Sequence, residues 1–118
     1  MKIMITAQGQ DPDARVDERF GRAEWFILHD TETDSWQAIA NKAGQAEHGA
    51  GVSAAQAVID AGANVLLTGH VGPNAFTSLQ AAGVQIASQI NETVREAVQN
   101  YLAGQYPLVD GPDSLPSH

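Results

Sequence analysis

The hydrophobic period first changes along this chain at about Ala50, and that change limits the fold more than any other feature. Before it lie three short runs, KIMITA (2–7), EWFILHD (24–30) and SWQAIAN (35–41), with the length and composition of strands. TETD (31–34) supplies the turn chemistry of a hairpin between the second and third. After Ala50, Val52, Ala55, Val58 and Ile59 share one helical face, and Gly62 provides the stop. NVLLT (64–68) is a fully apolar strand. Pro73 suits the first position of a second helix, which packs with Phe76 and Leu79 and ends at Gly83. VQIAS (84–88) is the fifth strand. Asn91 is expected to cap a third helix whose Val94, Ala97, Val98, Tyr101 and Leu102 form an apolar stripe, ended by Gly104.

The order β-β-β-α-β-α-β-α has few folded solutions. The opening hairpin is antiparallel, and each later helix carries the chain back, right-handed, into a parallel pair. A five-stranded mixed sheet of order 3-2-1-4-5 follows, with only strand 2 antiparallel and helices on both faces. This is an α/β, three-layer arrangement with the element order of ribonuclease H-like folds. VIDAGANVLLT and LQAAGVQIAS both run helix, Ala-Gly turn, strand, which two successive crossover units explain without a duplication. At 118 residues the chain is expected to be one domain over 1–104, with QYPLVDGPDSLPSH (105–118) as a loose, Pro- and Ser-rich tail.

That topology sends several loops to one edge. The long polar segment 8–24, the loop 41–50, GHVGP after strand 4 and the turn after strand 5 all emerge beyond the carboxyl ends of the parallel strands. Ligands of open α/β sheets sit at that edge, near the reversal of strand order, here between strands 1 and 4. A loop as long as 8–24 is more often functional than idle. Fourteen acidic residues against six basic give a net charge of −8, which disfavours nucleic acid and anionic membranes as partners. Yet Arg15, Arg19, Arg22 and Lys42 lie in two segments that reach this edge. They either form an anion site there or pair with Asp11, Asp13, Asp17, Glu18 and Glu24 nearby, and both readings stand on sequence alone.

HGAGVSAAQ (48–56) fits G-x-G-x-x-A, a pattern associated with dinucleotide binding. The context rejects that reading. No buried strand precedes Gly49, and the position about twenty residues after Gly51 falls in GHVGP, which has no carboxylate. The segment is instead a glycine-softened helix start. A helix start has chemistry of its own, because its unpaired N–H groups and positive dipole end attract anions. GHVGPNAF places a second helix start at the same edge.

The chain has no cysteine, so it offers neither disulfides nor thiolate ligands. His48 and His70 fall in edge loops and are the candidate metal ligands; His29 is a strand residue packed locally, and His118 is in the tail. No clustered strand-end carboxylates and no nucleophile elbow occur, so no catalytic constellation is expected. The start MKIMITAQGQ lacks the apolar segment of a signal peptide, and no run reaches membrane-spanning length; a cytoplasmic protein is expected.

DERFGRAEWFILHD (17–30) together with HGAGVSAAQAVIDAGANVLLTGHVGPNAFTSLQAAGVQI (48–86) resembles the dinitrogenase iron–molybdenum cofactor biosynthesis family of nitrogenase accessory proteins. The tokens are RFGRA before an aromatic-rich strand, GAG before the first helix and G-x-x-GP-x-A before the second, across about residues 1–103. The resemblance implies a ribonuclease H-like fold and a non-enzymatic protein that binds or carries an anionic metal–sulfur cluster. One branch of the family, in sulfate-reducing bacteria, holds a molybdenum–copper sulfide cluster noncovalently. That branch suits a chain without cysteine, since the cluster brings its own sulfides; an iron–molybdenum type is the other possibility. The implied cofactor-binding residues are Arg15, Arg19, Phe20, Gly21, Arg22, His48, Gly49, Gly51, Gly69, His70 and Gly72, with Phe20 or Trp25 as apolar wall and a partner protein as recipient. Two other classes remain as alternatives: a small enzyme acting on a phosphate-bearing metabolite at the same anion site, and a ligand-free regulatory interaction domain.

Overall fold

The structure is a computed structural model and describes residues 1–45 and 49–109. The strands are β1 (Lys2–Ala7), β2 (Trp25–Asp30), β3 (Ser35–Ala40), β4 (Val65–Leu67) and β5 (Gln85–Ala87). The helices are α1 (Ala50–Asp60), α2 (Pro73–Ala81) and α3 (Val94–Leu102), and a single 3-10 turn at Lys42–Gln45 lies within the second polar loop. The sheet order is β3-β2-β1-β4-β5. β2 runs antiparallel to both β1 and β3, whereas β1, β4 and β5 are parallel. Fold class and strand order are those expected from the element sequence.

Strand alternation divides the core between two faces. Met4, Phe26, Leu66 and Ile86 point toward α1 and α2, where Ala54, Ala55, Val58, Phe76 and Leu79 meet them. Ile3, Ile5, Ile27, Val65 and Leu67 point the other way, toward Val94, Ala97 and Val98 of α3. β1 is central and is buried on both faces from Ile3 to Ala7. His29 packs as a strand residue should: its ring lies 4.0 Å from Trp36 and its Nδ1 is 3.0 Å from the Ser35 carbonyl.

Three local expectations are corrected. Val52 is 45% exposed; the buried face of α1 is Ala50, Ala54, Ala55 and Val58. That face packs against α2, where a Cβ on Gly51 would make ordinary contact with the Ala75 Cβ at 3.5 Å. Leu102, placed in the α3 stripe, is exposed at the end of the helix. The cap of α3 is Thr93 rather than Asn91, because Thr93 and Glu96 complete a capping box. Thr93 Oγ1 accepts the Glu96 N–H at 3.2 Å, and Glu96 Oε1 accepts the Thr93 N–H at 3.1 Å. Asn91 instead offers its backbone carbonyl and Oδ1 to Arg15 Nη2, at 2.8 and 3.0 Å.

Removing the cap as Thr93→Ala should cost about 1 kcal/mol in urea denaturation. The cap is also acid-sensitive. The Thr93 N–H, then its hydroxyl, hold the Glu96 carboxyl below its ordinary range, with a smaller contribution from Arg15. A carboxyl depressed in the folded state stabilises fully above its unfolded pKa, and the contribution fades as pH falls through the lowered value. The difference between wild type and Thr93→Ala should therefore be largest near neutral pH and shrink in acid; a constant difference would contradict this assignment.

The segment from Gln8 to Glu24 is anchored along its length. Arg95 N and Val94 N donate to the carbonyls of Pro12 and Ala14, at 2.8 and 2.9 Å. Val16 N donates to Glu92 O at 2.8 Å, and Asp17 N to Thr6 O at 2.9 Å. Thr6 Oγ1 donates back to the Asp17 carbonyl at 2.8 Å and lies 2.8 Å from Thr68 Oγ1, all within the core. His70 N then donates to Glu18 O at 2.7 Å and Phe20 N to His70 O at 3.2 Å, so the segment lies beside the chain leaving β4. Beyond α3, Tyr106 donates to Glu92 Oε1 at 2.8 Å and Val109 N to Ile86 O at 2.8 Å; residues 110–118 of the expected tail lie outside the described residues. Among the described residues, no helix is long and apolar enough to cross a membrane.

Candidate ligand site at the helix starts

The segment 17–22 reaches the carboxyl edge of the sheet through its ladder with Gly69 and His70, and Gly21 then meets the first turn of α1. A Cβ on Gly21 would stand 2.9 Å from both the N and the Cα of Gly51. No side chain fits between them. This close approach brings the loop, the start of α1 and the start of α2 together around a concavity of about 350 Å³. Phe20, Gly21 and Arg22 form one wall, Gly49–Val52 a second, and Gly72–Ala75 a third. The ring of Phe20 is buried against Phe26, with centroids 6.1 Å apart.

Backbone donors surround this space. Gly49 takes a left-handed conformation, φ 71°, to enter α1, and neither helix start carries a side-chain cap. The first bond within α1 runs from Ser53 N to Gly49 O, and within α2 from Phe76 N to Gly72 O, both 2.9 Å. The N–H groups of Ala50, Gly51 and Val52, and those of Asn74 and Ala75, therefore have no partner inside their own helices. Pro73, at the first position of α2, has no N–H to leave unpaired. Five donors and two positive dipole ends thus border one recess beside Arg22.

Of the residues expected at the site, Phe20, Gly21, Arg22, Gly49, Gly51 and Gly72 line this concavity. The others are placed elsewhere. Arg19 follows the alternative left open by the sequence: its side chain is 64% exposed, and its Nε lies 3.5 Å from the buried carboxylate of Asp17. That same carboxylate accepts the Arg19 N–H at 2.9 Å. Arg15 is engaged with Asn91. Gly69 and His70 line a smaller neighbouring recess, about 210 Å³, with Glu18, Gln89 and Asn91. Lys42 and Trp25 line a third recess, which shares Arg22 with the first. His48 lies outside the described residues. Among the described residues, no group of three His, Asp or Glu side chains is placed to hold a metal ion. The sequence names both helix starts as anion-attracting without singling out Ala50, Val52, Asn74 and Ala75, whose backbone N–H groups lie there; the signal for them is the uncapped glycine before each helix.

The family model for dinitrogenase iron–molybdenum cofactor proteins matches residues 1–104, and the chain belongs to that family. Within it, the chain is similar to the orange protein of Desulfovibrio gigas, whose apo structure superposes with a TM-score of 0.92 at 46% identity over 95% of each chain. A Thermotoga protein named after NifB aligns at 32% identity with a TM-score of 0.80, over 99% of this chain and 97% of that one. An uncharacterized protein of Methanocaldococcus jannaschii is 25% identical over 108 residues, covering 89% of this chain and 91% of the relative.

Proposed function

We propose that this protein is a cytoplasmic, non-enzymatic carrier that holds an anionic metal–sulfide cluster noncovalently in the concavity between the starts of α1 and α2. The observation that carries this reading is the pair of uncapped helix N-termini opening on one recess beside Arg22 in a chain without cysteine. A bare cation would find no ligand set among the described residues. A cluster that brings its own sulfides needs a different environment: N–H donors, a guanidinium and an apolar wall, here Phe20. The cargo is molybdenum-containing, with the molybdenum–copper type favoured over iron–molybdenum. The absence of thiolates and the similarity to the orange protein support that preference. His70 and Arg15 stand outside the contact surface in this reading, and a partner protein receives the cluster.

Anaerobic reconstitution with tetrathiomolybdate and copper, followed by desalting, tests the proposal through visible charge-transfer absorption and metal analysis. Wild type is expected to keep colour and metal. Arg22→Gln should lower affinity roughly tenfold, the scale of one hydrogen bond to a charged group. Arg19→Gln should stay within about twofold, because an exposed arginine already paired with Asp17 has little to lose. A colourless wild type, or an Arg22 variant that retains cluster like wild type, would overturn the assignment.

A further inference from the structure

The two edges of the sheet are finished differently. At one, β5 is three residues long and is covered by the chain beyond α3, where Val109 N donates to Ile86 O at 2.8 Å. At the other, β3 (SWQAIA) pairs with β2 through all six residues without a bulge, and carries neither a charge nor a proline. Edge strands are ordinarily blunted by such features, because their unpaired backbone groups invite a further strand. Which groups are unpaired follows from the ladder. Asn41 N donates to Glu24 O at 3.0 Å, so by antiparallel alternation Ser35, Gln37 and Ile39 also turn their N–H and C=O groups toward β2. Those of Trp36, Ala38 and Ala40 face outward, and among the described residues no other segment pairs with them.

We propose that this edge is a homodimer interface, in which β3 pairs antiparallel with β3 of a second copy and joins the two five-stranded sheets into one. Charge selects that partner and that direction. The turn entering β3 is acidic, with Asp30, Glu32 and Asp34, and Lys42 follows the strand. A parallel copy would set acid against acid, whereas an antiparallel one sets each acidic turn beside the partner's Lys42. Register follows from the backbone. With Ala38 on the two-fold axis, Trp36 pairs with the partner's Ala40, and all three outward residues of each strand join a ladder of about six hydrogen bonds. A slip in either direction would draw in Asp34, whose φ is 54°, or Lys42, which lies in the 3-10 turn; neither is extended. Just beyond the ladder, Asp34, 89% exposed and 3.8 Å from His29 Nε2, comes beside the partner's Lys42.

The test uses metal-free protein, so its outcome is independent of the cluster assignment. Sedimentation equilibrium is expected to show monomer and dimer exchanging with a Kd of roughly 100 µM, as suits a small edge contact. Amide hydrogen exchange at Trp36, Ala38 and Ala40 should slow as the protein concentration rises through that value. Ala38→Lys, which sets two ammonium groups together on the axis, should weaken association about tenfold or more. Asp34→Lys and Lys42→Asp should each weaken it roughly fivefold. An equimolar mixture of those two variants should regain the wild-type affinity, because opposite charges meet only in the mixed dimer. A monomer at every concentration, exchange at the three amides that ignores concentration, Ala38→Lys dimerising like wild type, or a mixture no tighter than its parents overturns the proposal.

Discussion

Gly69→Ala is expected to lower the melting temperature by roughly 10 °C, equivalent to about 3 kcal/mol of lost stability, in a thermal scan followed by circular dichroism. The methyl would fall directly on the backbone of Glu18. That backbone cannot withdraw cheaply. Glu18 O is the acceptor for His70 N at 2.7 Å, and the segment on either side is fixed to Thr6 and to His70. A new side chain there must either break this ladder or push the loop off the edge of the sheet. An unchanged melting temperature would show that segment 17–20 does not lie against Gly69 as described.

Gly21→Ala should damage cluster retention most among the glycine variants, roughly tenfold or more, alongside a stability loss of about 2 kcal/mol. Its methyl would meet the N and Cα of Gly51 at 2.9 Å and the carbonyl carbon of Ala50 at 3.2 Å. The loop must then lift from the first turn of α1, carrying Arg22 away from the helix starts. Gly51→Ala is the matched control, because its Cβ would make an ordinary 3.5 Å contact with the Ala75 Cβ. Replacing a helical glycine by alanine gains up to about 1 kcal/mol, so this variant should melt at or above the wild-type temperature. Metal analysis after reconstitution decides the matter. Equal retention in the two variants would mean that the Gly21–Gly51 contact does not shape the site.

The strand order was legible because the element sequence and right-handed crossovers leave few alternatives once the period changes at Ala50. The same argument located the edge where Gly21, Gly49, Gly51 and Gly72 gather. Side-chain partnership was less legible. Arg15, Arg19 and Arg22 look alike in sequence, yet Asn91 takes the first, Asp17 takes the second, and the third borders the recess. Those partners are chosen by tertiary proximity, as between Arg15 and Asn91, which periodicity does not encode. Gly69 was visible as a candidate glycine, but the backbone it must admit belongs to a segment some fifty residues earlier. Thr93 was missed for a local reason: Asn91 is an acceptable cap until the reciprocal bond from Glu96 is counted.

Backbone donors at the two helix starts are proposed to hold the cargo. Amide chemical shifts of ¹⁵N-labelled protein, before and after anaerobic loading with the molybdenum–copper sulfide cluster, test it most directly. The largest shifts or broadening are expected at the N–H groups of Ala50, Gly51, Val52, Asn74 and Ala75, with Arg22 beside them. Largest changes around Trp25 and Lys42, or around Glu18, Gln89 and Asn91, with those five amides unmoved, would contradict it.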